Sequence, residues 1–295
     1  MFCCQGMNGI IKPRKLSFKF KIVPFRSLTK LTMKTLLTVA IQAALKAGAE
    51  ILKVYDTNFA VEHKDDNSPL TLADKNANEV INGFLKPTQI PIISEENKQL
   101  DYSERKGWDR CWIVDPLDGT KEFIKRNGEF TVNIALVENG NPVLGVIYVP
   151  VSKELYFTTS DGNTSKKITV SSEEDPVDEL FRNAKEIRPR EATNVVRIVG
   201  SRSHLNEDTK NFIAEIEKQT QVAIVSKGSS LKFCLVAEGL ADIYPRYAPT
   251  MEWDTAAGHA ICKAVGVSVI DQSTGKPMIY NKPNLLNNYF VVRKK

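Results

Sequence analysis

Strand-like and helix-like patterns alternate through the second half of the chain, and no other feature of the sequence restricts the fold as strongly. The predicted strands cover 195–199, 222–225, 241–244 and 267–270, and the predicted helices between them cover 206–218, 229–238 and 254–264. Such alternation is typical of an α/β architecture. We therefore expect an α/β substrate-recognition domain over 191–295.

The first half of the chain has a different order. Apolar residues recur at helical spacing over 34–55 and again over 71–85, and β-rich runs then follow one another. These runs predict strands at 90–93, 111–114, 130–137, 143–149 and 155–158, with a hairpin turn at Asn139-Gly140. The polar stretch 160–192 is interpreted as a connection. This order predicts an α+β metal-binding domain over 33–190.

Positive charge is concentrated at the beginning of the chain, which has a net charge of +5. Residues 1–34 contain eight Lys or Arg and no acidic residue, whereas the remaining residues carry 32 positive and 35 negative charges. A basic, acid-free leader is typical of an organellar transit peptide. Alternatively, translation begins at Met33, which is the interpretation we favour. We therefore place residues 1–32 outside the fold and expect a cytoplasmic protein that does not bind nucleic acid.

Composition and motifs exclude several classes of protein. With 42% hydrophobic and 25% charged residues, the 295-residue chain is typical of a globular protein with a sizeable core. No stretch approaches the roughly 18 apolar residues of a membrane span, although peripheral membrane association is left open. The sequence contains no CxxC, HExxH, GxSxG or GxxxxGK[ST] motif, which disfavours zinc, serine-hydrolase and P-loop chemistry.

Two carboxylates lie at the end of a predicted buried strand. Asp115 and Asp118 are three residues apart around a Pro-Leu pair, and Gly119 follows them. Both side chains can point out of the strand end toward one cation, and hard divalent cations prefer carboxylate and carbonyl oxygens. The structural alternative is an Asp-Pro turn with a helix N-cap.

Three further acidic sites have a structural alternative each. The Glu95-Glu96 pair is also typical of a solvated turn. Asp74 can instead be a carboxylate in the first turn of a helix, where it interacts with the helix dipole, and Asp254 can be a helix N-cap. Taken together, these sites form an oxygen-rich set drawn from four regions of the chain. Such a set suits two or three Mg²⁺ ions and phosphate chemistry, with a water molecule rather than a side chain as the nucleophile.

Three segments resemble the signatures of the lithium-sensitive, Mg²⁺-dependent phosphomonoesterase superfamily that includes inositol monophosphatase. They are the Glu95-Glu96 turn, the segment from Asp115 to Thr120 that reads DPLDGT, and the segment from Trp253 to Ala257 that reads WDTAA. The resemblance covers essentially all of the chain beyond residues 1–32. It implies the layered αβαβα sandwich of that family and inhibition by Li⁺.

The resemblance also implies metal ligands. Glu95 and Asp115 would share a first Mg²⁺ with the carbonyl oxygen of Leu117. A second Mg²⁺ would be held by Asp115, Asp118 and Asp254.

Further roles implied by the resemblance concern the reacting groups. Asp74 and Thr120 would orient and deprotonate the attacking water, and Asp74 is a candidate ligand for a third, weaker metal. Gly119 and Thr120 would offer backbone N–H groups to the phosphate, since a helix start favours an anion.

The second half most resembles the CysQ-type 3'(2'),5'-bisphosphate nucleotidases of that superfamily. Lys232 and Arg246 would neutralise a second, non-reacting phosphate. The hydroxyl of Ser229 would donate a hydrogen bond, and His204 would contact the adenosine. The full set of substrate contacts implied is Glu95, Leu117, Asp118, Gly119, Thr120, Ser201, His204, Ser229, Lys232, Arg246 and Asp254.

We therefore expect hydrolysis of adenosine 3',5'-bisphosphate to AMP and phosphate, with 3'-phosphoadenylyl sulfate as a further candidate substrate. One alternative is the same chemistry on inositol or sugar phosphates, and another is a non-catalytic protein that binds a polyanion through its basic leader. The structural alternative is that Lys232 is a solvated lysine on a helix and that Arg246 forms a structural ion pair, so that neither residue contacts the substrate.

Overall fold

Seven strands from the first half of the chain form one sheet. The strands are β1 (Ile92–Ser94), β2 (Arg110–Asp118), β3 (Thr131–Glu138), β4 (Asn141–Val149), β5 (Glu154–Thr158), β6 (Ser165–Thr169) and β7 (Lys185–Ile187). They lie side by side in chain order. The β1–β2 pair is parallel, and the other neighbours are antiparallel. The computed structural model describes residues 31–57, 69–191, 193–200 and 206–294.

Five strands from the second half form another sheet. They are β8 (Val195–Gly200), β9 (Gln221–Ser226), β10 (Ile243–Arg246), β11 (Val267–Asp271) and β12 (Phe290–Lys294). Their order across the sheet is β11-β12-β10-β8-β9, and β10, β8 and β9 are parallel to one another. The chain therefore crosses from β8 to β9 in one direction and from β9 to β10 in the other.

Helices cover both faces of each sheet. They are α1 (Met33–Tyr55), α2 (Pro69–Leu85), α3 (Tyr102–Arg105), α4 (Thr120–Ile124), α5 (Val177–Asn183), α6 (Glu207–Glu217), α7 (Leu231–Ala237) and α8 (Glu252–Ala264). The α1/α2 pair packs on the first sheet, and α7 and α8 lie between the two sheets. Because right-handed crossovers of opposite direction emerge on opposite faces, α6 lies on the outer face of the second sheet. The predicted αβαβα sandwich is confirmed.

Alternating side chains of β2 enter two different apolar layers. Trp112 and Val114 pack with α1 and α2, whereas Cys111 and Ile113 pack with the side chains of α7, α8 and the second sheet. Both faces of the strand are buried because successive side chains of a strand point to opposite faces. This burial explains why Cys111–Val114 reads as a continuous apolar run.

The long helix α1 is strongly apolar, although the sequence contains no uninterrupted run of about 18 apolar residues. Its length and composition would suffice to cross a membrane. Twelve of its residues are nevertheless buried, and it packs against α2, β3 and β4. Its apolar face is accounted for by the core of the sandwich.

Three predictions about the course of the chain are wrong. The stretch 160–192 is not only a connection, since it contains β6, α5 and β7. These elements are short, and the Lys167 side chain of β6 reaches the carboxylates of Glu154 and Glu238, so the pattern of the stretch is polar. The strand β12 is missing from the predicted elements, although it lies between β10 and β11. The strand β2 does not end at Val114 but continues to Asp118 through a register shift between Asp115 and Asp118.

The predicted domain boundary at residues 190 and 191 falls between β7, which ends in the first sheet, and β8, which begins the second. The division into two domains stays a prediction. Residues 1–30, which make up nearly all of the predicted extension, lie outside the described residues.

Candidate active site and metal centre

Three carboxylates from different elements converge at one end of the first sheet. One ligand oxygen each from Glu95, Asp115 and Asp254 lies within 4.8 Å of the other two. Glu95 follows β1, and its N–H bonds the carbonyl of Val114 at 3.2 Å. The parallel β1–β2 pairing therefore brings Glu95 beside Asp115.

Asp254 reaches this cluster from the first turn of α8. The helix begins at Glu252, so Asp254 is its third residue, and its Oδ2 accepts a 2.8 Å hydrogen bond from the N–H of Met251. The interpretation of Asp254 as the N-cap is therefore wrong by three positions, because Met251 occupies the cap.

Small residues let α8 approach the sheet closely enough to bring Asp254 to the cluster. A Cβ atom on Gly145 of β4 would lie 2.4 Å from the carbonyl oxygen of Ala257. No other side chain fits at Gly145 without moving the helix. Ala257 of the WDTAA segment thus belongs to a close helix–sheet contact.

The electrostatics of the cluster favour a bound cation. Burial raises the pKa of Asp115 well above its ordinary value, and the charges of Asp118, Glu95, Asp254 and Asp74 raise it further. Burial, followed by the charge of Asp118, raises the pKa of Asp254 to about 7. Carboxylates that repel one another in a buried place are stabilised by a divalent cation, and an all-oxygen donor set suits a hard one. The residues present therefore fit a Mg²⁺-type ion.

Asp118 lies close to the cluster but outside the group of three. Its Oδ2 accepts a 2.6 Å hydrogen bond from the N–H of Ser230, and longer contacts of 3.4 Å come from Thr131 Oγ1 and Asn133 Nδ2. Leu117 sits in the register shift of β2, where its N–H bonds Asp115 Oδ1 at 3.1 Å. The assignments of Asp118 and of the Leu117 carbonyl to metals stay predictions.

Asp74 belongs to the second turn of α2 rather than to the first, because the helix already begins at Pro69. The helix-dipole interpretation of Asp74 therefore loses its support. Its charge acts on Asp115, which places it near the metal-ligand candidates. Its role toward a water molecule stays a prediction.

A cleft of about 260 Å³ adjoins these carboxylates. Its lining includes Asp118, Gly119, Thr120, Ser229, Ser230, Lys232, Tyr244, Arg246, Thr250 and Asp254. Gly119, at φ +98°, precedes α4, and Thr120 is the first residue of that helix. The cleft thus contains both acidic groups and two basic side chains that the sequence assigned to the substrate.

Lys232 is not the solvated helix lysine of the structural alternative, because only 5% of it is exposed. Its Nζ donates to the carbonyl of Ser229 at 2.6 Å and lies 5.6 Å from the centre of the Tyr244 ring. Burial lowers the pKa of Lys232 to about 8, against the opposing effect of Asp118. A buried ammonium beside a cleft is suited to an anion.

Arg246 ends β10, two residues later than the predicted end of that strand. Its Nη2 donates to the carbonyl of Pro249 at 3.2 Å. Its Nε is buried and has no hydrogen-bond partner within the described part of the chain. No described carboxylate forms an ion pair with it, which argues against the structural alternative. Ser201 and His204 lie outside the described residues.

Three polar residues at the site are absent from the predicted set. Thr131 and Asn133 alternate on the otherwise apolar β3, and Ser230 follows the predicted Ser229. The two polar residues at positions i and i+2 of a buried strand are the signal that could have identified them.

The family model described as "Inositol monophosphatase family" matches residues 32–292. The chain belongs to this family. The 3'(2'),5'-bisphosphate nucleotidase CysQ of Escherichia coli K12 is 44% identical over 256 residues, which are 85% of this chain and 96% of that protein. The corresponding CysQ of Salmonella typhimurium is 45% identical over the same shares.

Solved structures of the family agree with this fold. CysQ from Bacteroides thetaiotaomicron is 50% identical and superposes with a TM-score of 0.82, over 88% of this chain and 97% of that one. An inositol monophosphatase from Zymomonas mobilis is only 21% identical, with a TM-score of 0.69 over 89% of this chain and 94% of that one. The second likeness concerns the fold alone.

Proposed function

We propose that this chain is a Mg²⁺-dependent phosphomonoesterase that converts adenosine 3',5'-bisphosphate to AMP and phosphate. The observation that carries the proposal is the presence of Lys232 and Arg246 in the same cleft as the metal-ligand candidates. An inositol monophosphate has a single phosphate and needs no second basic site. The names of the CysQ relatives, which span most of the chain, support the same substrate.

The topology of the second sheet supports the placement of the nucleotide. Ligands of open α/β sheets bind beyond the carboxyl ends of strands where the direction of the crossovers reverses. That reversal lies between β8 and β10. Arg246 is at the carboxyl end of β10, and Ser201 and His204 follow the carboxyl end of β8 in the sequence. This order in the sequence suits the predicted contact of His204 with the adenosine.

In the proposed reaction, Glu95, Asp115, Asp118 and Asp254 would hold two Mg²⁺ ions, and Asp74 would hold a third. When bound, the ions supply positive charge that polarises the phosphoryl group and activates water as the nucleophile. Thr120 Oγ1 orients the attacking water, and the Asp74 carboxylate accepts its proton. Lys232 and Arg246 hold the 5'-phosphate, so that the 3'-phosphate lies at the acidic end of the cleft. The oxygen of the attacking water forms a bond to phosphorus, the bond between phosphorus and the 3'-oxygen breaks, and the 3'-oxygen takes up a proton from solvent.

We further propose that the substrate is a free nucleotide in the cytoplasm, with 3'-phosphoadenylyl sulfate as a second candidate. The acidic cluster beside the cleft disfavours a polyanion such as nucleic acid. Among the described residues, Lys121, Lys232 and Arg246 are the basic side chains that line the cleft.

The test is phosphate release from adenosine 3',5'-bisphosphate, 3'-AMP and inositol 1-phosphate, each with Mg²⁺ and with EDTA. We expect phosphate release to depend on Mg²⁺ and, at low substrate concentration, to have the highest rate per enzyme molecule for the bisphosphate. We also expect millimolar Li⁺ to inhibit the release. Faster turnover of inositol 1-phosphate would retain the metal chemistry and refute the nucleotide assignment. Release that persists in EDTA would refute the metal centre.

A further inference from the structure

Hydrogen bonds from the described residues reach only one of the two oxygens of the Asp118 carboxylate. Every hydrogen bond that it accepts within the described chain ends on Oδ2, from the Ser230 N–H at 2.6 Å and from Thr131 and Asn133 at 3.4 Å. These donors carry no charge. They fix the orientation of the carboxylate and leave its negative charge available to a cation at Oδ1.

The three donors also bond one another. Ser230 Oγ donates to Asn133 Oδ1 at 2.7 Å, and Thr131 Oγ1 lies 2.8 Å from Ser230 Oγ and 3.1 Å from Asn133 Oδ1. All three residues are at most 2% exposed. A buried polar group is costly unless it is bonded, so the members of this cluster hold one another in place. We refer to Thr131, Asn133 and Ser230 as the Asp118 support.

One peptide group links this support to the basic side of the cleft. The peptide between Ser229 and Ser230 donates its N–H to Asp118, and its carbonyl accepts a 2.6 Å hydrogen bond from Lys232 Nζ. Ser229 has φ +43°, in the left-handed region. The buried hydroxyl of Ser230 therefore anchors a turn that the backbone alone does not favour.

We propose that the Asp118 support consists of positioning residues that orient Asp118 for the divalent cation, and that it sets the affinity of the site for metal. The inference rests on the proposed function in one respect, that Asp118 is a metal ligand. Partners that orient a ligand in this way typically contribute 10- to 100-fold to metal affinity. The support is expected to act on metal binding before any substrate is present.

The experiment compares two pairs of variants. Ser230→Ala and Thr131→Val each remove one hydroxyl of the support and keep the side-chain volume nearly unchanged. Ser165→Ala and Thr209→Val are the matched controls. Ser165 is a buried serine that donates to the Ile261 carbonyl at 2.9 Å, and Thr209 is a buried threonine of α6 that donates to Asn206 Oδ1 at 2.6 Å. Each full-length protein is titrated with Mn²⁺ by calorimetry without substrate, and its thermal unfolding is measured in EDTA.

We expect Ser230→Ala and Thr131→Val to weaken Mn²⁺ binding about tenfold, and the controls to bind Mn²⁺ within twofold of the wild type. All four variants should lose a similar amount of thermal stability. Wild-type Mn²⁺ affinity in both support variants would overturn the inference, as would an equal loss of affinity in the controls. The Mn²⁺ titration contains no substrate. If the wild-type protein hydrolysed inositol 1-phosphate faster than the bisphosphate, the proposed function would be refuted, but the expected Mn²⁺ affinities of the variants would be unchanged.

Discussion

Lys282 Nζ lies 2.6 Å from Oε1 of Glu252, a carboxylate with no exposed surface. The main-chain N–H groups of Asn281 and Lys282 bond the same carboxylate at 2.6 and 3.0 Å. Glu252 is the first residue of α8, two positions before Asp254. The segment around Lys282 therefore fixes the end of the helix that carries a metal-ligand candidate.

The first prediction concerns this ion pair. Lys282→Met leaves the buried Glu252 without its cation, and the loss of one partner of a buried pair costs about 3–5 kcal/mol. Lys294→Met is the control, because it removes an exposed pair with Glu191, which is worth about 1 kcal/mol or less. The free energy of unfolding in urea measures both. Equal losses of the free energy of unfolding in the two variants would contradict the conclusion that Lys282 stabilises the buried Glu252 carboxylate.

The second prediction separates activity from stability at Asp254. Asp254→Asn removes one ligand, and a bound metal supplies several kcal/mol of transition-state stabilisation, so kcat should fall by roughly three orders of magnitude. Without metal the variant should melt at a higher temperature than the wild type, since Asp118 and Glu95 no longer repel a charge there. Asp109→Asn, at an exposed position, should change neither quantity. A metal-free melting temperature below that of the wild type would contradict the repulsion.

The third prediction concerns the second phosphate. Arg246→Ala removes a cation whose hydrogen bond to a charged group is worth about 1.5–3 kcal/mol, so KM for adenosine 3',5'-bisphosphate should rise at least tenfold. The KM for 3'-AMP, which lacks the 5'-phosphate, should change little. Arg293→Ala, at an exposed arginine of β12, is the control. An unchanged KM for the bisphosphate would show that the nucleotide is bound elsewhere.

The fourth prediction concerns pH. Asp254 has a folded-state pKa of about 7, raised above its ordinary value chiefly by burial. The raised pKa stabilises the metal-free fold below the unfolded-state value of roughly 4, and this contribution is lost as the pH rises through 7. Bound Mg²⁺ favours the ionised form. The increase in melting temperature caused by Mg²⁺ should therefore be larger at pH 8 than at pH 5.5, and equal increases at both would be the contrary result.

Contiguous motifs make the acidic half of the site predictable. Asp115 and Asp118 share one short segment, and Asp254 lies in another, so the residue types and their spacing point to a cation without knowledge of the tertiary contacts. Thr131 and Asn133 carry no such motif. Their role depends on Ser230, nearly 100 positions away in the sequence, and a contact of that kind depends on the packing of α7 against the sheets.

The errors in the fold have the same cause. The strand β12 is recognisable only through its neighbours β10 and β11, because Phe290–Lys294 is short and two of its five residues are charged and exposed. The strand β6 reads as polar because Lys167 extends to Glu154 and Glu238. Local patterns predict the long helices and the buried strands, whereas short strands completed by distant partners require the tertiary structure.

Three of the acidic groups at the site come from the first half of the chain, whereas both basic side chains assigned to the substrate come from the second half. Glu95 follows β1, and Asp115 and Asp118 lie in β2, whereas Lys232 belongs to α7 and Arg246 ends β10. Asp254, on α8, is the one metal-ligand candidate that shares the second half of the chain with Lys232 and Arg246. Point changes at Lys232 or Arg246 leave all four acidic residues in place, so the choice of phosphate ester can diverge on one ancestral scaffold.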